Sequence, residues 1–112
     1  MIYHPHCWVI VEIDTPDYGK VHKVLASWYG GYTEPDYWRM NSGITIVTEA
    51  EDDYAVAGYS KNVYNLRKDS EKFSSLSAAV FASSVKTVES AGGTMKVITM
   101  KEYLDEANSV SD

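Results

Sequence analysis

Cys7-Trp8-Val9-Ile10-Val11-Glu12-Ile13, followed by Asp14-Thr15-Pro16-Asp17-Tyr18-Gly19 and the residues 20–31, is the stretch on which the fold turns. Its first seven residues alternate as a strand does. Cys7, Val9, Val11 and Ile13 share one face, while Trp8, Ile10 and Glu12 share the other. Two large apolar side chains on the second face need cover as well, from a neighbouring element, the N-terminal arm or a second subunit. Thr15-Pro16-Asp17 then predicts a helix start, with Thr15 as N-cap, Pro16 at the first helical position and Asp17 favoured by the helix dipole. Tyr18, Val21, Val24, Leu25, Trp28 and Tyr29 recur at intervals of three and four. That is the stripe of an amphipathic helix, and Gly30-Gly31 would end it.

Downstream, residues 32–37 read as a loop around Thr33-Glu34-Pro35-Asp36. A strand is expected over 38–48, broken near Asn41-Ser42-Gly43. Glu51-Asp52-Asp53 connects it as a hairpin to Tyr54-Ala55-Val56-Ala57-Gly58-Tyr59. Ser60-Lys61-Asn62 is either a second tight turn, giving a three-stranded meander, or a bulge in one long strand. Asp69 or Ser70 is expected to cap a second helix running to about Ser90 and stopped by Gly92-Gly93, with Phe73, Leu76, Val80, Phe81, Val85 and Val88 as its apolar stripe. A last strand over 94–100 leads into a short terminal helix, for which Thr99-Met100-Lys101-Glu102 is a capping box. The tail 108–112 is expected to fray. The predicted order is βαββ(β)αβ in a single α+β domain over 1–112, with a mainly antiparallel sheet carrying two helices on one face. A ferredoxin-like arrangement is the nearest architecture, with the first and last strands beside one another or in neighbouring positions.

Composition narrows the function classes. The 112 residues carry a net charge of −6 with 45% hydrophobic content, values of a globular chain rather than a disordered one. Neither a membrane span nor a signal peptide is expected, and the lone Cys7 fits a reducing cytoplasm. Six acids, Glu34, Asp36, Glu49, Glu51, Asp52 and Asp53, fall in a segment whose one base is Arg39. Such a field repels phosphate backbones, so direct nucleic-acid binding is disfavoured, and it suits either a solvated surface or a basic partner. Nine Tyr and three Trp against two Phe tilt the balance toward binding, since amphipathic rings are enriched at interfaces.

Residue chemistry adds little beyond that. There is no Gly-rich phosphate loop and no paired-cysteine, nucleophile-elbow or zinc-protease motif. His4, His6 and Cys7, with His22 as a conceivable fourth ligand, are the one metal-type cluster. Adjacent strand residues such as His6 and Cys7 point to opposite faces, so no metal, no cofactor and no catalytic residue is assigned. Trp8, Tyr54 and Tyr59 on strands suggest a base-stacking platform, but the basic residue and aromatic spacing of RNA-recognition modules are missing.

Tyr37-Trp38-Arg39-Met40-Asn41-Ser42-Gly43-Ile44-Thr45, with Tyr54-Ala55-Val56-Ala57-Gly58-Tyr59-Ser60-Lys61-Asn62-Val63-Tyr64, resembles small accessory proteins of T4-like tailed bacteriophages. Those carry a W-R-L-N-S-G-I-T segment and then G-x-S-G-S-x-Y. Lys61-Asn62 replaces the second Gly-Ser here, which removes any role tied to a glycine turn. The resemblance covers the middle of the chain and implies a class of roles rather than a reaction: binding and disabling host machinery in the bacterial cytoplasm.

The resulting expectation is a non-enzymatic binding protein, an inhibitor of a host defence or nucleic-acid-handling protein with a basic surface. Its candidate partner-binding residues are Tyr32, Glu34, Asp36, Tyr37 and Trp38 on the loop, and Glu51, Asp52 and Asp53 on the hairpin. The face bearing Trp8 and Ile10 is the reserve candidate. Two rivals stand beside it: a dimeric small-molecule or nucleotide sponge or sensor, and a small phage enzyme whose site the sequence hides.

Overall fold

The computed structural model describes residues 1–109. In chain order the elements are β1 Ile2–Tyr3, β2 Cys7–Thr15, β3 Gly19–Trp28, β4 Tyr37–Met40, β5 Ile44–Glu49, β6 Asp53–Gly58 and β7 Val63–Arg67, then a 3-10 turn Lys68–Ser70, α1 Ser75–Ser90, β8 Thr94–Ile98 and α2 Met100–Ser109. The strands form two four-stranded sheets, ordered β4-β3-β2-β8 and β1-β7-β6-β5. Neighbours are antiparallel throughout, apart from β1 beside β7.

The segment expected to be the first helix is instead β3. It pairs with β2 along nine positions, from Cys7↔Ser27 to Thr15↔Gly19. The local cap is present: Thr15 Oγ1 accepts from the Tyr18 N–H at 3.2 Å. Gly19 then adopts φ +70, a conformation costly for residues with a Cβ, and the turn closes a hairpin instead of propagating a helix. The spacing misled because β3 is buried on both faces toward its C-terminal end. Val24, Ala26 and Trp28 enter one core and Leu25 the other. A strand covered on both sides reads as a continuous apolar run, within which a helical stripe can always be found.

The α+β class stands, but eight strands in two sheets replace the single βαββ(β)αβ sheet of a ferredoxin-like arrangement, and the helices do not share one face. The two helices are α1 and the terminal α2, and they lie on opposite faces of the β4-β3-β2-β8 sheet. On one face Trp8, Ile10, Val24, Ala26 and Trp28 pack against Val56, Tyr64 and Leu66 of the second sheet, with Tyr103 and Leu104 of α2 at the margin. On the other face Val9, Val11, Leu25 and Met95 lie beneath Val80, Phe81, Val85 and Val88 of α1. The cover required by Trp8 and Ile10 is therefore the second sheet, and neither residue is available as a binding face. Both core indoles donate across the sandwich, Trp8 Nε1 to the Arg67 carbonyl at 2.7 Å and Trp28 Nε1 to the His4 carbonyl at 3.0 Å, satisfying their polar tips.

Boundaries shift for local reasons. The stretch 38–48 is two strands on different sheets. Residues 60–62 form a turn, so β5, β6 and β7 are a meander. The second helix begins at Ser75 rather than after Asp69 or Ser70, because Ser74 and Ser77 form the capping box while Asp69 pairs with Arg67. It ends as expected, with Gly92 and Gly93 N–H groups bonded back to the Glu89 and Val88 carbonyls. The last strand stops at Ile98, and the Thr99–Glu102 box caps α2. That helix takes in Asn108 and Ser109; the rest of the expected frayed tail, residues 110–112, lies outside the described residues. Among those described, no helix is long and apolar enough to cross a membrane.

Candidate functional site

Where β3 runs out, the chain presents aromatic rings to solvent. Tyr32 is fully exposed, Tyr29 is 52% exposed, Tyr37 51% and Trp38 45%. The loop between them is held in one shape. Asp36 Oδ1 accepts from the Gly30 N–H at 2.9 Å, and a Cβ at Gly30 would overlap the Glu34 and Pro35 carbonyls. Asp36 is thus partly engaged in fixing the loop, whereas Glu34 is exposed. The Tyr37 ring stacks on Trp28 with centroids 4.9 Å apart and planes 5° from parallel. Trp38, the next strand residue, points to the opposite face, in register with Ser27. The expected cluster is therefore divided: Tyr37 leans on the inter-sheet core and Trp38 on the face that carries α1.

Sequence reasoning missed Tyr29 and its partner His6. Their rings stack at 5.6 Å, the Tyr29 N–H donates to His6 Nδ1 at 2.9 Å, and the Tyr29 hydroxyl lies 3.2 Å from Cys7 Sγ. A helix over 18–29 would carry Tyr29 on its buried stripe; the extended chain at the end of β3 turns it outward.

The acidic hairpin belongs to the other sheet. Glu51 and Asp52 are exposed and Asp53 half-buried at the tip between β5 and β6. Lys68 Nζ sits 2.6 Å from Glu49 Oε2 and over the Tyr54 ring, so part of that acidity is neutralised. Arg39, the one base in the acidic segment, has its guanidinium 4.7 Å from the Tyr3 ring centroid. A cleft of about 500 Å³ adjoins the hairpin, between β5–β6 and α2, and includes Val47, Glu49, Tyr54, Lys101, Leu104 and Asp105 in its walls.

Asn41, Ser42 and Gly43 carry the chain from one sheet to the other. Asn41 donates its N–H to the Val24 carbonyl at 3.0 Å and accepts the Val24 N–H on Oδ1 at 2.8 Å, standing in for the next rung after β4 ends. Ser42 Oγ accepts from the Ser60 N–H at 2.9 Å, and Gly43 lies against the Tyr59 ring. These residues join the two halves of the segment structurally.

One further cluster closes the end of the inter-sheet core. Glu12 and His22 are cross-strand partners, and His22 Nε2 donates to Glu12 Oε1 at 3.1 Å. Ligand atoms of Glu12, His22 and Glu106 lie within 4.8 Å of one another, the composition of a metal triad. Lys20 Nζ, however, is 3.9 Å from Glu12 and 3.7 Å from Glu106, so one ammonium offsets the charge of both carboxylates. Burial pushes the Glu12 carboxyl up, but the His22 and Lys96 hydrogen bonds and the Lys20 charge outweigh it and hold it below the ordinary range. The arrangement is an ion-pair network. Of the other metal-type residues, His4 approaches Asn65 and His6 and Cys7 meet Tyr29, while His22 stands apart with Glu12.

No protein family, curated protein or solved structure matches the chain.

Proposed function

We propose that the chain is a non-enzymatic binding protein that occludes a basic surface on a host protein, using the aromatic, acidic end formed by Tyr29, Tyr32, Glu34, Asp36, Tyr37 and Trp38. The observation that carries this reading is four large rings at least two-fifths exposed within ten residues, on a loop pinned by the Gly30–Asp36 hydrogen bond and without a Lys or Arg among them. Rigid aromatics anchor interfaces at low entropic cost, and nearby carboxylates speed encounter with a cationic partner. Glu51, Asp52 and Asp53, on the other sheet, add long-range attraction rather than contact. The phage-like segment supports a host target and action in the bacterial cytoplasm.

Capture from bacterial lysate with the tagged chain, read by mass spectrometry, tests this directly. Tyr32→Ala should deplete the captured partner, and Asp52→Lys with Asp53→Lys should weaken capture mainly at low salt. Equal recovery by the wild type and both variants, with folds intact, would move the site elsewhere. The cleft beside Tyr54 supports a second reading, a small-molecule binder, because its volume falls in the range of ligand pockets. That reading expects a retained low-mass ligand and no captured protein.

A further inference from the structure

Each sheet ends in two edge strands, β4 and β8 on one and β1 and β5 on the other, and an open edge leaves backbone N–H and C=O groups facing outward. Three of these edges are blunted. Strand β1 is two residues long, β5 shifts register between Ile44 and Ile46, and β8 carries Lys96 with its side chain 68% exposed. Each device discourages a further strand from pairing. Strand β4 has a regular ladder instead, from Trp28↔Tyr37 to Leu25↔Met40, and Tyr37, Trp38 and Arg39 are all exposed. Its one charged side chain, Arg39, lays its guanidinium on the Tyr3 ring of the opposite sheet.

The phase of the β3–β4 ladder fixes which backbone groups face out. The Asn41 N–H donates to the Val24 carbonyl at 3.0 Å, one step beyond the Leu25↔Met40 pair. Antiparallel strands bond at alternate residues, so Arg39 and Tyr37 turn their backbone groups toward Ala26 and Trp28. Trp38 and Met40 turn theirs away from β3. The neighbouring strand agrees: the Ser27 carbonyl accepts from the His6 N–H at 3.0 Å, so Ser27 faces β2 rather than Trp38. Among the described residues, no hydrogen bond outside the β3 ladder reaches the Trp38 or Met40 backbone.

We propose that the bound protein adds an extended segment to β4 as a fifth strand of this sheet, pairing with the backbone of Trp38 and Met40. The inference rests on the proposed function and names how that partner docks. An extended backbone supplies donors and acceptors at the two-residue spacing that β4 leaves open. Side chains then select the segment. Tyr37 lies on one face of the edge and Trp38 on the other, and cross-strand neighbours of large rings are favoured when β-branched or aromatic. Glu34 and Asp36 stand just before β4, with no Lys or Arg between Tyr29 and Trp38. They favour Lys or Arg where the added strand passes them.

Amide hydrogen exchange, read by nuclear magnetic resonance on the full chain, tests this in the free protein and in its complex with the protein captured from lysate. In the free chain the Trp38 and Met40 amides should exchange faster than that of Arg39, and in the complex both should slow at least about 100-fold. Met40→Pro removes one outward N–H while leaving the bonds to β3 in place, so it should weaken the complex at least about tenfold. Met40→Val keeps that N–H and should bind as the wild type does. Should Met40→Pro fail to fold, the exchange rates of the wild type still decide. Slow exchange of both amides in the free chain would overturn the inference, since the edge would already be covered by this chain or a second copy. A captured protein that leaves both amides unprotected would overturn strand addition alone, and the absence of any captured protein would overturn the proposed function with it.

Discussion

Residues 18–29 and 73–88 display the same apolar spacing, yet one segment becomes a strand and the other a helix. The difference lies at their ends. Thr15 caps a single turn that Gly19 diverts into a hairpin, whereas Ser74 and Ser77 cap each other and no glycine interrupts before Gly92. Burial follows the same division. Leu25 and Val24 are sealed between layers, while the apolar side chains of α1 are only half-covered. Matching periodicity thus hides two environments: one sealed between two layers, and one covered on a single side.

The sharpest way to break that comparison is paired truncation. Leu25→Ala should cost about 2–5 kcal/mol in denaturant unfolding, as a fully buried large-to-small change, and Val85→Ala about 1 kcal/mol. Equal losses in a monomeric sample would erase the distinction between the two faces. Asn41→Ala should cost about 1–3 kcal/mol, because it strands the buried Val24 N–H at the end of β4; a loss within about 0.5 kcal/mol would mean that the Asn41 amide is not a rung of the sheet. A smaller effect concerns the far end of β3. The Glu12 carboxyl is held below its ordinary value of 4.5, so its pairing stabilises the fold above that pH and is lost as pH falls through the lowered value. Glu12→Gln should therefore flatten part of the acid-side loss of stability relative to wild type. An identical pH profile would remove Glu12 from the account.

Much of the architecture was legible where a single local signal decides it. The Thr99–Glu102 and Gly92-Gly93 signals placed their helix ends, and alternation in β2 placed Glu12 on the face of Trp8 and Ile10. The failure at β3 has a physical cause: a strand covered on both faces loses the period-2 contrast that identifies strands. The error then propagated, because a helix there hides Tyr29 and separates Glu12 from His22. The loop acids and Tyr32 were legible as exposed turn residues. The opposite pointing of Tyr37 and Trp38 follows once β4 includes both. Glu106 carried no signal, since its contact with Glu12 is made only when α2 docks.

The aromatic end carries the proposed function. Its most direct measurement is the affinity of the captured partner for the wild-type chain and for Tyr32→Ala, each at about 50 and 200 mM salt. The account predicts roughly a 30-fold loss for Tyr32→Ala at either salt, and weaker binding at the higher salt for both chains. Affinities that ignore both the substitution and the salt would contradict it.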